Sequence, residues 1–201
     1  MRLEQLLKGE SAYVVLTPKN ASSEMERNDQ LPLKGKCIFP GSFNPLHEGH
    51  IQMANHATAF TGQPLWFEIS VVNVEKSTLD KLEIETRIKQ DFGNHGLVLT
   101  KSATFEEKSA LFAECTFVVG GDTIVRIDED RFYTNPQHKA SSFARFAECR
   151  IKFLVFGRTV DGTFIDETFP LSPSLRELCQ FVPRSKFDVA VSSTQIRNQE
   201  R

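Results

Sequence analysis

Apolar positions along the chain fall into two alternating patterns. Short runs rich in Val, Ile, Leu and Phe, at residues 36–39, 65–72, 97–100, 116–119 and 151–156, have the length and composition of buried strands. Between them lie stretches at residues 49–60, 81–92, 105–112 and 138–149 whose apolar residues recur at helical spacing. One more helix is expected from residue 123 onward, capped by Asp122 or Thr123. Strand and helix in turn, with no Asn-Gly signal of a hairpin between strands, predict an α/β fold: a parallel sheet with helices on both faces. Ligands in such sheets bind beyond the carboxyl ends of the strands where strand order reverses, so the chemistry is expected in strand-to-helix loops.

Residues 1–35 stand apart as an N-terminal extension to a domain at residues 36–201. MRLEQLLKG reads as a helix, AYVVLTP as a strand, and residues 19–30 as a polar loop. A chain of 201 residues buries one substantial core. With 40% hydrophobic residues, 25% charged residues and a net charge of −2, it offers no general attraction to nucleic acid or membrane. The apolar runs are too short to span a bilayer, and MRLEQLLKGE lacks the apolar core of a secretory leader, so a cytoplasmic location is expected. Oligomeric state is left open. Cys37, Cys115, Cys149 and Cys179 are widely spaced with no Cys-x-x-Cys pair, which disfavours a zinc knuckle or disulfide framework. The 17 phenylalanines are read as core volume.

The run KCIFPGSFNPLHEGH places a strand, a loop and a helix start in succession. Gly41 permits close approach of the backbone to an anionic ligand, and the amides opening the following helix favour phosphate. His47 and His50, three residues apart at the helix start, face the same way. This arrangement suits attack by a substrate phosphate on the α-phosphate of a nucleoside triphosphate. The attacking oxygen is already ionised, so what the protein must supply is alignment and charge stabilisation rather than a general base. A metal site built from His47, His50 and His56 is disfavoured, because the spacing is not His-Glu-x-x-His. His56 is read as a packing or surface residue.

Gly41, Phe43, Pro45, His47, Gly49 and His50 fit the Gly-x-Phe-x-Pro-x-His-x-Gly-His signature, so the chain resembles the nucleotidylyltransferase superfamily. With Asn44 in place of the Asp usual in CTP users, it is closest in pattern to nicotinamide and nicotinate mononucleotide adenylyltransferases. The resemblance implies a Rossmann-like nucleotidylyltransferase fold, ATP as co-substrate with Mg2+, and a small phosphorylated acceptor. It also implies contact of His47 and His50 with the triphosphate, and of the backbone at Ser42 and Phe43 with phosphate. VSSTQIR at residues 191–197 is similar to the family's Ile-Ser-Ser-Thr-x-x-Arg element. Ser192, Ser193 and Thr194 would there cap a helix and bind phosphate, with Arg197 one turn on supplying a charge.

FVVGGDT at residues 117–123 resembles the family's Gly-x-Asp segment, which would place Gly120 against the nucleotide and Asp122 on a ribose; a plain Gly-Gly turn with Asp122 as helix cap is the rival reading. FLVFGR resembles a family strand ending near substrate, making Arg158 a candidate, and the following RTVDGTF is read as a glycine-containing turn. After the second strand the chain shows Asn73 and Lys76 where bacterial nicotinate mononucleotide enzymes carry a Pro-Pro-His-Lys type segment, so these two are candidates to serve in its place; Lys76 and, from the first motif, Asn44 are candidates for the acceptor. Trp66, Phe132 and Tyr133 are the candidate ring platforms. Only four residues follow Arg197, leaving little chain for the adenine and oligomer contacts that such relatives carry there. Two rival functions keep part of this pattern: transfer to a different phosphorylated acceptor, and a regulatory protein that binds or slowly hydrolyses ATP.

Overall fold

In the computed structural model, which describes residues 2–18, 25–27, 33–72, 79–160 and 162–187, helix α1 (Arg2–Lys8) and strands β1 (Tyr13–Pro18) and β2 (Met25–Arg27) open the chain. There follow β3 (Cys37–Pro40), α2 (Glu48–Thr61), β4 (Leu65–Ser70), α3 (Lys81–Ile88), β5 (Gly96–Thr100), α4 (Phe105–Leu111), β6 (Thr116–Gly120) and α5 (Gly121–Asp128). After a 3₁₀ turn come α6 (Pro136–Glu148), β7 (Lys152–Phe156), β8 (Arg158–Val160), β9 (Thr163–Ile165), α7 (Pro173–Arg176) and β10 (Cys179–Val182). The order of the eight-stranded sheet is β10-β7-β6-β3-β4-β5-β1-β2. From β10 to β5 every neighbour is parallel, and β1 and β2 add an antiparallel edge. The expected Rossmann-like α/β fold is what the chain adopts.

Period-two alternation along the strands explains the two faces. Leu65, Phe67 and Ile69 of β4, with Leu97 and Leu99 of β5, join one core, into which α1, α2 and α3 place Leu6, Ala54, Ala57 and Ile84. Trp66 and Val98 point the other way into a second core with Ile124 of α5, Phe143 and Phe146 of α6 and Leu175 of α7. Helices therefore cover both faces. No helix among the described residues is long and apolar enough to cross a membrane.

Three details differ from the pattern-based expectation. Helix α5 begins at Gly121 with Gly120 as its N-cap, and no side chain caps it, so Asp122 lies inside the first turn and is free for other partners. β8 and β9 pair as a small hairpin around Gly162, where a turn alone was expected. β10, only four residues of mixed polarity, gave no strand signal but pairs with β7 as the edge of the sheet.

Chain direction reverses at the middle of the sheet. From β3 the chain moves through β4 to β5, then crosses to β6 on the other side of β3 and on to β7. The carboxyl ends of β3 and β6 thus flank the switch point, the place where sheets of this kind bind ligands.

A buried ion pair ties β4 and β5 to the crossover that follows. Glu68 on β4 is 1% exposed and Lys108 on α4 is 4% exposed, with Nζ to Oε1 at 3.1 Å. Thr100 Oγ1 also donates to Glu68 at 2.5 Å, and Lys108 Nζ donates to the carbonyl of Ser102. Such a pair contributes little net stability against an apolar replacement, yet losing one partner strands the other charge. Lys108→Met is expected to cost about 3–5 kcal/mol, and Glu68→Leu combined with Lys108→Met to recover most of that loss, as read by urea unfolding. Equal instability of the single and double variants would refute this account.

Candidate active site

The loop leaving β3 is shaped first by Phe43. Its φ is +42°, a left-handed conformation that is costly outside glycine. The ring, 2% exposed, offsets this by packing in an aromatic cluster: edge-on to Phe39 at 5.4 Å, Phe67 at 5.0 Å, Phe92 at 6.4 Å and the His50 imidazole at 5.0 Å. Gly41 is required beneath it, because a Cβ there would lie 2.5 Å from Phe43 Cζ. Beside the close ligand approach that the sequence suggests for Gly41, the structure gives this glycine a packing reason, the ring of Phe43. Ser42 and Asn44 on either side are exposed.

Helix α2 starts immediately after, with His47 as its N-cap in extended conformation, and Gly49 is buried in its first turn. His47 and His50 stack with ring centroids 3.7 Å apart and planes 25° from parallel, so the two imidazoles expected to face the same way do so. The backbone N–H of His47 donates to His50 Nδ1 at 3.2 Å. That bond fixes the tautomer: neutral His50 must carry its proton on Nε2, leaving that nitrogen as the donor. His47 Nδ1 is buried and has no hydrogen-bond partner.

Across the switch point, Gly120 and Asp122 stand at the junction of β6 and α5. A Cβ on Gly120 would meet Asp122 Oδ1 at 2.7 Å, and one on Gly121 would meet Ile165 of the β8–β9 hairpin at 2.7 Å. Both glycines therefore admit neighbouring protein groups. Arg158, at the start of that hairpin, donates from Nη1 to Asp122 Oδ1 at 3.1 Å, both side chains being about two-fifths exposed. Its guanidinium is close enough to bias both histidines. His50 is held down to about 3, first by burial and then by repulsion from His47 and Arg158. His47 is lowered too, by burial and then by Arg158. The pair is thus neutral at pH 7.

Residues from separate motifs, Gly41, Ser42, Phe43, Asn44, His47, Gly49 and His50 on one side and Gly120, Asp122 and Arg158 on the other, come to one end of the sheet. Lys76, Ser192, Ser193, Thr194 and Arg197 lie outside the described residues. The candidate ring platforms are engaged elsewhere. Trp66 is 7% exposed at the amino end of β4, against Gly96. Tyr133 donates its hydroxyl to the carbonyl of Ile127 at 2.7 Å, and Phe132 is covered by Arg131 at 4.6 Å. His56 packs edge-on to Phe156 at 5.6 Å, as a packing residue would.

One contributor has no sequence signal. Gln90, just beyond α3, accepts from the N–H of Leu46 through Oε1 at 2.6 Å and donates from Nε2 to the carbonyl of Phe43 at 2.8 Å. A single glutamine more than forty positions from the loop it touches belongs to no motif.

A parallel sheet with a switch point, a helix start at that point, paired histidines and a facing arginine fit the α/β domains that handle nucleotides. The cytidylyltransferase-like family model matches residues 38–199, most of the chain, and the protein belongs to this family of the nucleotidyltransferase superfamily. Over 51 residues it is 43% identical to a protein of Porphyromonas gingivalis named "Probable nicotinate-nucleotide adenylyltransferase", a stretch covering 25% of this chain and 26% of that protein. A protein of the same name from Bacteroides fragilis is 40% identical over 53 residues, covering 26% of each. The match thus spans about a quarter of the length of these curated relatives.

Two outcomes follow from the site. Gly41→Ala drives a methyl into the Phe43 ring and is expected to cost about 1–3 kcal/mol; wild-type stability in urea would show that the ring does not hold that position. For His50, the unfolded chain takes up a proton near 6.5 and the folded protein only near about 3. The unfolded state binds more protons between these values, so this contribution is complete above 6.5 and is lost as pH falls toward 3. The His50 Cε1–H resonance is accordingly expected to stay at its neutral position from about pH 8 to about pH 5, the range where an unperturbed histidine titrates. An inflection near 6.5 would contradict the burial.

Proposed function

We propose that the protein transfers AMP from ATP to a phosphorylated acceptor, nicotinamide or nicotinate mononucleotide, giving a dinucleotide and pyrophosphate. The observation that carries this reading is the stacked His47–His50 pair at the start of α2, opposite Arg158 across the switch point. The short similarity to proteins named as nicotinate-nucleotide adenylyltransferases supports the acceptor class.

In this reaction an ionised oxygen of the acceptor phosphate bonds to the α-phosphorus of ATP, and the bond from that phosphorus to the bridging oxygen breaks as pyrophosphate departs. No proton needs to be removed. Neutral histidines suit the task, because each offers a donor without the cost of burying a charge before the nucleotide arrives. A triphosphate beside them favours their protonated forms and strengthens the donors as negative charge accumulates.

The Arg158–Asp122 pair, two-fifths exposed, is worth about 0–1 kcal/mol. A phosphate can therefore draw Arg158 away and leave Asp122 to accept from ribose hydroxyls. Ser192, Ser193, Thr194 and Arg197 would hold the outer phosphates, and Asn44 and Lys76 the acceptor. Among the described residues no cluster of three or more His, Cys, Asp or Glu side chains is arranged around a metal. Magnesium would then be held mainly by the phosphates, neutralising the leaving group.

The family's description favours a second reading, cytidylyl transfer to another phosphorylated acceptor. Purified protein incubated with Mg2+, either ATP or CTP, and a panel of phosphorylated acceptors distinguishes the two. ATP with one of the two mononucleotides is expected to release pyrophosphate and form dinucleotide. Preference for CTP would select the second reading, and ATP binding without pyrophosphate from any acceptor would defeat both. His50→Ala is expected to stay folded and lose about 10²-fold to 10³-fold in rate.

A further inference from the structure

We infer that Gln90 is the positioning residue of the signature loop: its side-chain amide holds Phe43 and Leu46 so that His47 and His50 are presented to the nucleotide. This rests on the transferase reading for its consequence in catalysis, but the clamp itself is a matter of geometry.

The loop between Phe43 and Leu46 must reverse the chain between β3 and α2. Phe43 sits at φ +42°, a conformation that needs external support. Packing secures its ring, and Gln90 secures its backbone. The amide accepts from Leu46 N–H at 2.6 Å and donates to the Phe43 carbonyl at 2.8 Å, bracketing the two residues between them. A second donation from Nε2 reaches the carbonyl of Arg87 at 3.1 Å and anchors Gln90 to the end of α3. The orientation of the amide is self-consistent. Reversing it would set donor against donor at Leu46 and acceptor against acceptor at Phe43.

Leu46 immediately precedes His47, whose own N–H fixes the His50 ring. Displacement of Leu46 therefore passes to the N-cap of α2 and from there to both imidazoles. No other side-chain type of similar length does the same. Glutamate offers only acceptors when ionised and would face the Phe43 carbonyl with negative charge, and leucine offers neither group. A protonated glutamate, by contrast, supplies one O–H and one carbonyl, as the amide does.

That difference gives a test that a merely structural role would not pass. Gln90→Leu is expected to lower kcat by about 10²-fold, the scale of a small misplacement of catalytic groups, with its melting temperature held within a few degrees. Gln90→Glu is expected to be impaired at alkaline pH and to recover relative to wild type as pH falls and its carboxyl protonates. An unchanged kcat in Gln90→Leu, or a Gln90→Glu to wild-type ratio that is flat with pH, would overturn the catalytic role.

A measurement without turnover separates this from the function itself. The Leu46 amide should exchange its hydrogen faster in Gln90→Leu than in wild type, with exchange in α6 unchanged. If no acceptor supports transfer in wild type, that exchange result alone decides the clamp: faster exchange sustains it, and equal exchange refutes it.

Discussion

The contact between the Phe43 ring and the bare Cα of Gly41 is the constraint from which the rest of the site follows. The ring can reach its place among Phe39, Phe67 and Phe92 only if the residue two positions back has no side chain. Once seated, it forces its own backbone into a left-handed conformation and turns the chain toward α2. The same ring is packed edge-on to His50. A core residue, a loop conformation and a candidate catalytic imidazole are thus a single packed unit, and its stability is supplied by the hydrophobic interior rather than by the loop.

The two-faced sheet anchors this unit. β3 is central, bonded to β4 on one side and β6 on the other. Its final residues pass directly from the most constrained part of the sheet into the loop, and Gly41 N–H still bonds to the Glu68 carbonyl at 3.0 Å. The Glu68 side chain, pointing to the opposite face, is locked to Thr100 and Lys108. Rigidity at the candidate site is therefore drawn from both cores.

Most of this architecture was legible from apolar periodicity, because parallel strands buried on both faces read as short continuous apolar runs and the helices between them as amphipathic stretches. β10 and the β8–β9 hairpin were not, since strands of three or four residues with mixed polarity take their pairing from neighbours rather than from their own composition. Within the candidate site, His47 and His50 were visible as a spaced pair in a motif. The packing reason for Gly41 was not legible, because it depends on what occupies the space above the glycine, and Phe43 two residues on gives no hint of its φ. Gln90 was invisible for a simpler reason. Its partners are backbone atoms, so nothing in the identities of Phe43 and Leu46 calls for a glutamine, and only the fold brings α3 to the loop.

The electrostatics of the site complete the logic. Burial, the mutual repulsion of two stacked rings and the guanidinium of Arg158 all act in one direction, keeping both imidazoles neutral. Stacked imidazolium ions at 3.7 Å would repel each other in a partly dry setting. Holding one permanent charge on Arg158, screened by Asp122, and two neutral donors in reserve avoids that repulsion in the free protein. Under the proposed transfer reaction, a bound phosphate would favour the protonated imidazoles, so that positive potential would build in the complex and not in the free protein.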